Sequence, residues 1–173
     1  MKTNNFLRIF VFLGLVLGSV SLYAQDKNIV ETAISTEATS TLVAAVKAAD
    51  LVNVLSSEGP FTVFAPTNDA FDALPEGTVA SLLKPENKET LQNVLKYHVV
   101  AGKYNAKDII KLINKGNGKA TIKTVAGGTI EAVMKNGAVY VKDANGNAAK
   151  VTAADLDQTN GVIHVIDKVV LPK

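Results

Sequence analysis

NGVIHVIDKVVLP, residues 160 to 172, joins a turn dipeptide to a long β-branched run with a histidine in its middle. Asn160-Gly161 offers the two positive-φ positions of a tight turn, and the run from Val162 to Val169 suits a pleated, half-buried surface. Ile163 and Val165 fall on one face and Val162 and Ile166 on the other. Both faces are therefore apolar, and the strand is expected at the centre of a sheet, covered on two sides. Asp167 and Lys168 interrupt both faces, which predicts a bulge or the emergence of the strand into water there. A strand of this kind closes a fold, and its partners must come from earlier in the chain.

Directly upstream the sequence reads as hairpins: Ala120 to Val125, Thr129 to Lys135, Ala138 to Asp143 and a segment through Val151. Gly127-Gly128, Asn136-Gly137 and Asn145-Gly146 punctuate them. Before these lie helices. Ile29, Val30, Ala33 and Ile34 make a short stripe, and Thr39 or Ser40 is expected to cap a helix carrying Leu42, Ala45, Val46 and Ala49. Asn68 is expected to cap a single turn with Phe71 and Leu74, and Thr78 a short helix through Leu83. Pro85 suits the first position of a helix on which Leu91, Val94, Leu95 and His98 share one face, so His98 points toward the core. Asn105 and Asp108 have capping-box-like spacing ahead of Ile109, Leu112 and Ile113, and Gly116 and Gly118 end that helix. One early strand, Phe61 to Ala65, ends at Pro66 and must find its partner late in the chain. Helices first and a meander second give an α+β class with a mostly antiparallel sheet and one domain.

The 173 residues are 47% hydrophobic and 20% charged, a globular composition. Lys2 and Arg8 precede an apolar run from Ile9 to Val20, which reads as a signal peptide spanning residues 1–24, with cleavage after Ala24 and a single domain over 25–173. Met1 to Ala24 holds two basic and no acidic residues. Removing them takes the formal charge of +2 to zero, and nucleic-acid binding loses its electrostatic warrant. With no cysteine the exported domain must be held by its core, which about 149 residues can supply. Secretion or a periplasmic location is expected, in a bacterial cell, with no integral membrane segment in the mature chain.

Three stretches, FTVFAPTNDAF from Phe61 to Phe71, Tyr97-His98, and Asn160 to Pro172, together resemble the fasciclin family. They match its first conserved block, its Tyr-His motif and its second block, in order and at the right separations. The resemblance implies a compact wedge, a β-sandwich of roughly seven strands with several covering helices, in which the two blocks are neighbouring central strands. It marks Phe61, Thr62, Phe64, Pro66, Thr67, Asp69, Phe71, Asn160, Gly161, His164 and Asp167 as structural motif positions. It also implies an extracellular or periplasmic binding module for adhesion or for the matrix of a biofilm. The partner would be a surface or matrix protein or a polysaccharide. An Asp followed by Leu or Ile just before the second block is the adhesion motif of some animal members, and Asp155-Leu156 stands in that place. Asp155 and Leu156, with the exposed side of Tyr97 and His98, form the candidate partner surface. Because certain members of the family bind carotenoids, a carrier of a small hydrophobic ligand is the alternative.

Read as residues, His98 and His164 each sit among aromatic or β-branched neighbours, where a neutral imidazole can bridge backbone groups. A metal site or general base is the competing reading. Tyr97 and Asp69 are expected to satisfy polar groups in the same region. Asp143-x-Asn145-x-Asn147 has glycine two places early for a calcium loop and Ala154 where its glutamate would stand, so it reads as a hairpin turn. No nucleophile, zinc or phosphate-loop motif is present, and neither a cofactor nor catalysis is expected.

Overall fold

The computed structural model describes residues 27–173; the expected signal peptide lies outside the described residues. Helix α1, Ile29–Ser35, opens with a complete capping box in which the Asn28 side chain accepts from Glu31 N–H and the Glu31 side chain accepts from Asn28 N–H. Helices α2 (Ser40–Ala48) and α3 (Val52–Leu55) follow, then strand β1 (Phe61–Pro66), helices α4 (Asn68–Asp72), α5 (Thr78–Leu82) and α6 (Lys88–Tyr97), and strand β2 (Val99–Ala101). Helix α7 (Ala106–Lys115) leads into strands β3 (Lys119–Lys123), β4 (Thr129–Lys135), β5 (Ala138–Lys142), β6 (Ala148–Gln158) and β7 (Gly161–Ile166). The seven strands run in the order β2-β1-β7-β6-β5-β4-β3, antiparallel throughout except for β1 beside β7.

The central position expected of the last strand is borne out. β7 lies parallel to β1, with Phe61 opposite Gly161 and Phe64 opposite His164, and antiparallel to β6 on its other edge. Val162, Ile163 and Ile166 are all buried. The long β6 pairs with β5 through Ala148 to Lys150 and with β7 through Val151 to Gln158, so it belongs to both halves of a folded-over sheet. The far edges return to each other, and Val125 N–H donates to Val99 O at 2.8 Å. Between the halves lies one apolar cluster, with Phe64, Val100 and Ile166 meeting Ile122, Ile130, Val141 and the inner residues Ile109 and Ile113 of α7. A second cluster lies outside the β1-β7 half, where α1, α2 and α6 cover Val63, Ala65 and Ile163. This is why both faces of β7 are apolar: each abuts a different core.

Several local expectations are corrected. Pro66 is the last residue of β1, and Thr67 rather than Asn68 caps α4, accepting from Ala70 N–H at 3.3 Å. Asn68 instead accepts from Thr41 N–H and donates to Glu37 O and Ser40 Oγ, fixing the start of α2, where Thr39 makes no side-chain cap bond. Pro85 begins a short 3-10 turn, Pro85–Asn87, ahead of α6. Gly77, at φ +80°, precedes α5 in place of a Thr78 cap, a backbone shape that suits a residue without Cβ. Strand β2, too short to show a period, had no counterpart in the sequence reading. Asp167 and Lys168 lie past the end of β7 and are exposed, so the strand emerges into water there.

Asn160 does not adopt the left-handed conformation expected of a turn dipeptide. It is a four-way tie. Its Oδ1 accepts from Ile29 N–H at 3.0 Å, its Nδ2 donates to Leu55 O at 2.8 Å and Ser57 O at 3.0 Å, and its carbonyl accepts from Phe61 N–H at 3.0 Å. Gly161 follows because a Cβ there would lie 2.0 Å from Phe61 O.

Candidate functional site

Asp155 and Leu156 lie in β6, not in a loop, at a break in its pairing with β7, where Ala153 opposes Val165 and Leu156 opposes Ile163. Three steps along one strand thus match two along the other, a bulge that turns side chains out of the regular alternation. Asp155 sits at φ +57°, an unusual region for a residue with a side chain. Its carboxylate accepts from Ala106 N–H at 2.6 Å. Ala106 is the first residue of α7, so Asp155 supplies from a distance the cap that Asn105 was expected to give. The Asn105 side-chain oxygen is buried without a hydrogen-bond partner among the described residues. Leu156 is 39% exposed, and beside it Asp157 pairs with Lys103 at 2.7 Å.

His164 holds this bulge from behind. Its Nε2–H donates to Tyr104 O at 2.8 Å and its Nδ1 accepts from Asp155 N–H at 3.3 Å, which requires the neutral ring protonated on Nε2. Phe64 packs on the imidazole with ring centres 5.6 Å apart. Burial lowers the pKa of His164 below the usual histidine value, against smaller opposing contributions from the Tyr104 carbonyl, Asp155 and Asp157.

His98 is bonded in the opposite sense. Its Nδ1–H donates to Val94 O at 2.8 Å and its Nε2 accepts from Val170 N–H at 3.2 Å, so α6 is fastened to the segment after β7. Burial pushes its pKa down to about 4. Tyr97 donates to Thr129 O at 2.6 Å and accepts from Ala144 N–H at 3.0 Å, and burial raises its pKa. Tyr97 and His98 are 1% and 2% exposed. They have no exposed side to offer, which corrects the four-residue surface inferred from sequence to the pair Asp155-Leu156 alone. Asp69, expected near Tyr97, is exposed in the first turn of α4, where a carboxylate is favoured by the helix dipole.

The other motif residues hold the frame. Thr62 Oγ1 donates to Gly102 O at 2.6 Å and accepts from Tyr104 N–H at 2.9 Å, tying β1 to the loop that His164 also contacts. Phe61 starts β1 half-buried, and Phe71 fills the helical core. Asp167 Oδ1 accepts from Lys150 N–H at 2.7 Å, closing the end of β7 onto β6. Asp143 accepts from Asn145 and Asn147 N–H, both at 2.9 Å, within the turn, and from Leu171 N–H at 3.2 Å, which ties that turn to the C-terminal segment. Among the described residues no group of three or more His, Asp or Glu side chains is placed to hold a metal ion. The ties made by Asn160 and Asp155 were invisible in sequence because their partners lie 49 to 131 residues away.

Beneath α1 and α2 lies an apolar cavity of about 30 Å³, bounded by Val30, Leu42, Val46 and Leu55 from the helices and by Val63 and Ile163 from the sheet. That is room for one or two water molecules, and with an apolar lining it is a dry packing defect as it stands.

The fasciclin domain model matches residues 37–172, most of the chain. Protein sll1483 of Synechocystis sp. is 55% identical over 155 residues, covering 88% of this chain and 79% of that protein. Pig transforming growth factor-beta-induced protein ig-h3 is 42% identical over 134 residues, which are 77% of this chain and 17% of the longer protein. In structure the chain is similar to a domain pair from the insect cell adhesion molecule fasciclin I, with a TM-score of 0.75 at 20% identity over 84% of this chain and 51% of that one; this likeness speaks for the fold. Fasciclin domains are non-catalytic modules, and the buried, hydrogen-bonded state of both histidines agrees with a structural use. By its fold, its motif residues and these matches, the chain belongs to the fasciclin domain family.

Proposed function

We propose that this is an exported binding module that attaches to a cell-surface or matrix protein or polysaccharide, in adhesion or in a biofilm matrix, after signal-peptide cleavage near Ala24 places it in the periplasm or outside the cell. The observation that carries the reading is the β6 bulge, which holds Leu156 out to solvent while Asp155, His164 and α7 fix its backbone. An exposed apolar side chain on rigid backbone loses little conformational freedom when a partner covers it.

Asp155 is occupied as a helix cap, so its replacement would confound folding with binding; Leu156→Ala is the cleaner probe. The mature domain is immobilised and exposed to the envelope and matrix fraction of its host, and bound protein and glycan are measured. Capture by the wild type that falls at least about fivefold with Leu156→Ala, at an unchanged melting temperature, is the expected result. Equal capture by both proteins would remove Leu156 from the interface.

A carrier of a small hydrophobic ligand such as a carotenoid is the second reading, favoured by the apolar lining beneath α1 and α2. A space of about 30 Å³ holds no long polyene, so binding requires α1 to part from α2. Organic extraction of the protein from its host tests it: a polyene absorbance band in the extract supports carriage, and an extract free of lipid-like molecules ends it.

A further inference from the structure

The near-zero net charge of the mature chain hides a partition. Residues 27–101 hold five lysines and nine acidic residues, whereas residues 102–173 hold eleven lysines and six acidic ones. Much of the basic excess lies on one surface. The outer face of β3 to β6 points away from the core, because Ala120, Ile122, Ile130, Ala132, Val141 and Ala149 take the inner side. Outward point Lys119 and Lys123 from β3, Lys135 from β4, Lys142 from β5 and Lys150 from β6, against the single carboxylate of Glu131. Glu131 is already shared by Lys119 at 3.4 Å and Lys142 at 3.7 Å, and Asp167 at the edge is engaged with the Lys150 backbone.

The cross-strand register gives this face a pattern. Lys119 opposes Val133, Val133 opposes Tyr140, and Tyr140 opposes Lys150, so one row across four strands reads lysine, valine, tyrosine, lysine. At about 4.8 Å per strand, the two lysine backbones stand roughly 14 Å apart with an apolar, aromatic floor between them. Val133 and Tyr140 are half-buried and cannot reach out as a membrane wedge would, but they offer a flat bed to the C–H face of a sugar ring. The cations are all lysines, and no arginine occurs after Arg8. Lysine is a compact, mobile point charge that pairs with an anion without a fixed fork geometry, so the spaced lysines suit charges repeated along a chain.

We infer that the outer face of β3 to β6 binds a linear acidic polysaccharide, its rings lying on Tyr140 and Val133 and its carboxylates between Lys119, Lys142 and Lys150. The inference rests on the binding-module reading and names the class of its polysaccharide partner. Binding of this kind is screened by salt, because the charges are exposed.

The test is retention of the mature chain in native gels containing polygalacturonate, a linear polyuronate, with dextran gels as the neutral reference. The expected results are retention in polygalacturonate alone, its loss at about 0.5 M salt, and weakening by about tenfold or more for Lys119→Gln/Lys142→Gln/Lys150→Gln and about threefold for Tyr140→Ala. Lys47→Gln/Lys84→Gln/Lys96→Gln, on the helical side, should stay within about twofold of wild type. Circular dichroism melts confirm that each variant is folded. Retention that is absent, equal in dextran, or equally weakened by the helical-side triple overturns the inference. So does adsorption to phosphatidylglycerol vesicles without polyuronate retention, or a dimer in sedimentation velocity that the sheet-face triple abolishes, which would assign the face to a second copy. If the sheet-face triple is captured from the matrix fraction as well as wild type is, this inference falls and the binding-module reading stands. If wild type captures nothing there, that reading falls independently of the polyuronate result.

Discussion

The surroundings of His98 and of His164 solve one problem in opposite ways. Each ring bridges a backbone carbonyl and a backbone N–H that the regular ladders leave open, and each must stay neutral to do so. At His98 the proton sits on Nδ1 and the bridge runs from α6 to the C-terminal segment, wholly inside the protein. At His164 the proton sits on Nε2 and the bridge runs from β7 to the bulge and to the loop before α7. The first bridge closes the core, and the second supports a surface that carries an exposed Leu156. One residue type thus serves stability in one region and the shape of a candidate interface in the other.

The largest expected effect is on the His98 side. His98→Ala leaves the Val170 N–H buried without an acceptor and opens a void, so a loss of about 3 to 4 kcal/mol in chemical denaturation is expected. A loss below about 1 kcal/mol would show that water or a shifted backbone replaces the imidazole. Asn160→Ala comes next, at about 2 to 3 kcal/mol, since it strips an acceptor from Ile29 N–H and a donor from two carbonyls.

Acid should bear on both regions, and the sign follows from the depressed folded pKa. Between pH 6.5 and about 4 the unfolded chain protonates its histidine while folded His98 stays neutral, so protonation favours unfolding. The contribution of His98 is fully present above pH 6.5 and is lost as pH falls toward 4, roughly 3 kcal/mol in all. His164 shifts in the same direction. His98→Phe, which has no titrating group, should flatten this part of a stability-versus-pH curve; an unchanged slope would assign the acid sensitivity elsewhere.

Smaller effects are expected on the bulge. Asp155→Ala removes the cap of α7 and should cost about 1 kcal/mol, with Asp155→Asn recovering most of it. Leu156→Ala should change stability by less than about 1 kcal/mol, because the side chain is partly in water and belongs to neither core cluster. A larger loss would make Leu156 a packing residue and remove the contrast between the two sites.

Much of the fold was legible because its strongest signals are local. The β-branched run of β7, the paired-glycine and Asn-Gly turns among β3, β4, β5 and β6, and the helical spacing of Leu91, Val94 and Leu95 all report on neighbours within a few residues. The three motif stretches then placed β1 beside β7, a pairing across about 100 residues that periodicity cannot give. What escaped were bonds set by the assembled fold. Nothing near Asn160 announces Ile29, Leu55 and Ser57 as its partners, and nothing near Asp155 announces the start of α7. The inward aim of His98 was legible from its place on α6. The burial of adjacent Tyr97 on the other core was not, because α6 ends between two clusters and each residue serves a different one.

The most direct measurement is a nitrogen-15 to carbon-bound-proton correlation spectrum of the two imidazoles, recorded from pH 7 to pH 4.5. The structure requires the Nδ1–H form for His98 and the Nε2–H form for His164, with His98 still mostly neutral at about pH 5.5, where a free histidine is mostly charged. Two rings in the same tautomer, or a His98 that titrates near pH 6.5, would contradict the paired bridges on which both the core and the bulge depend.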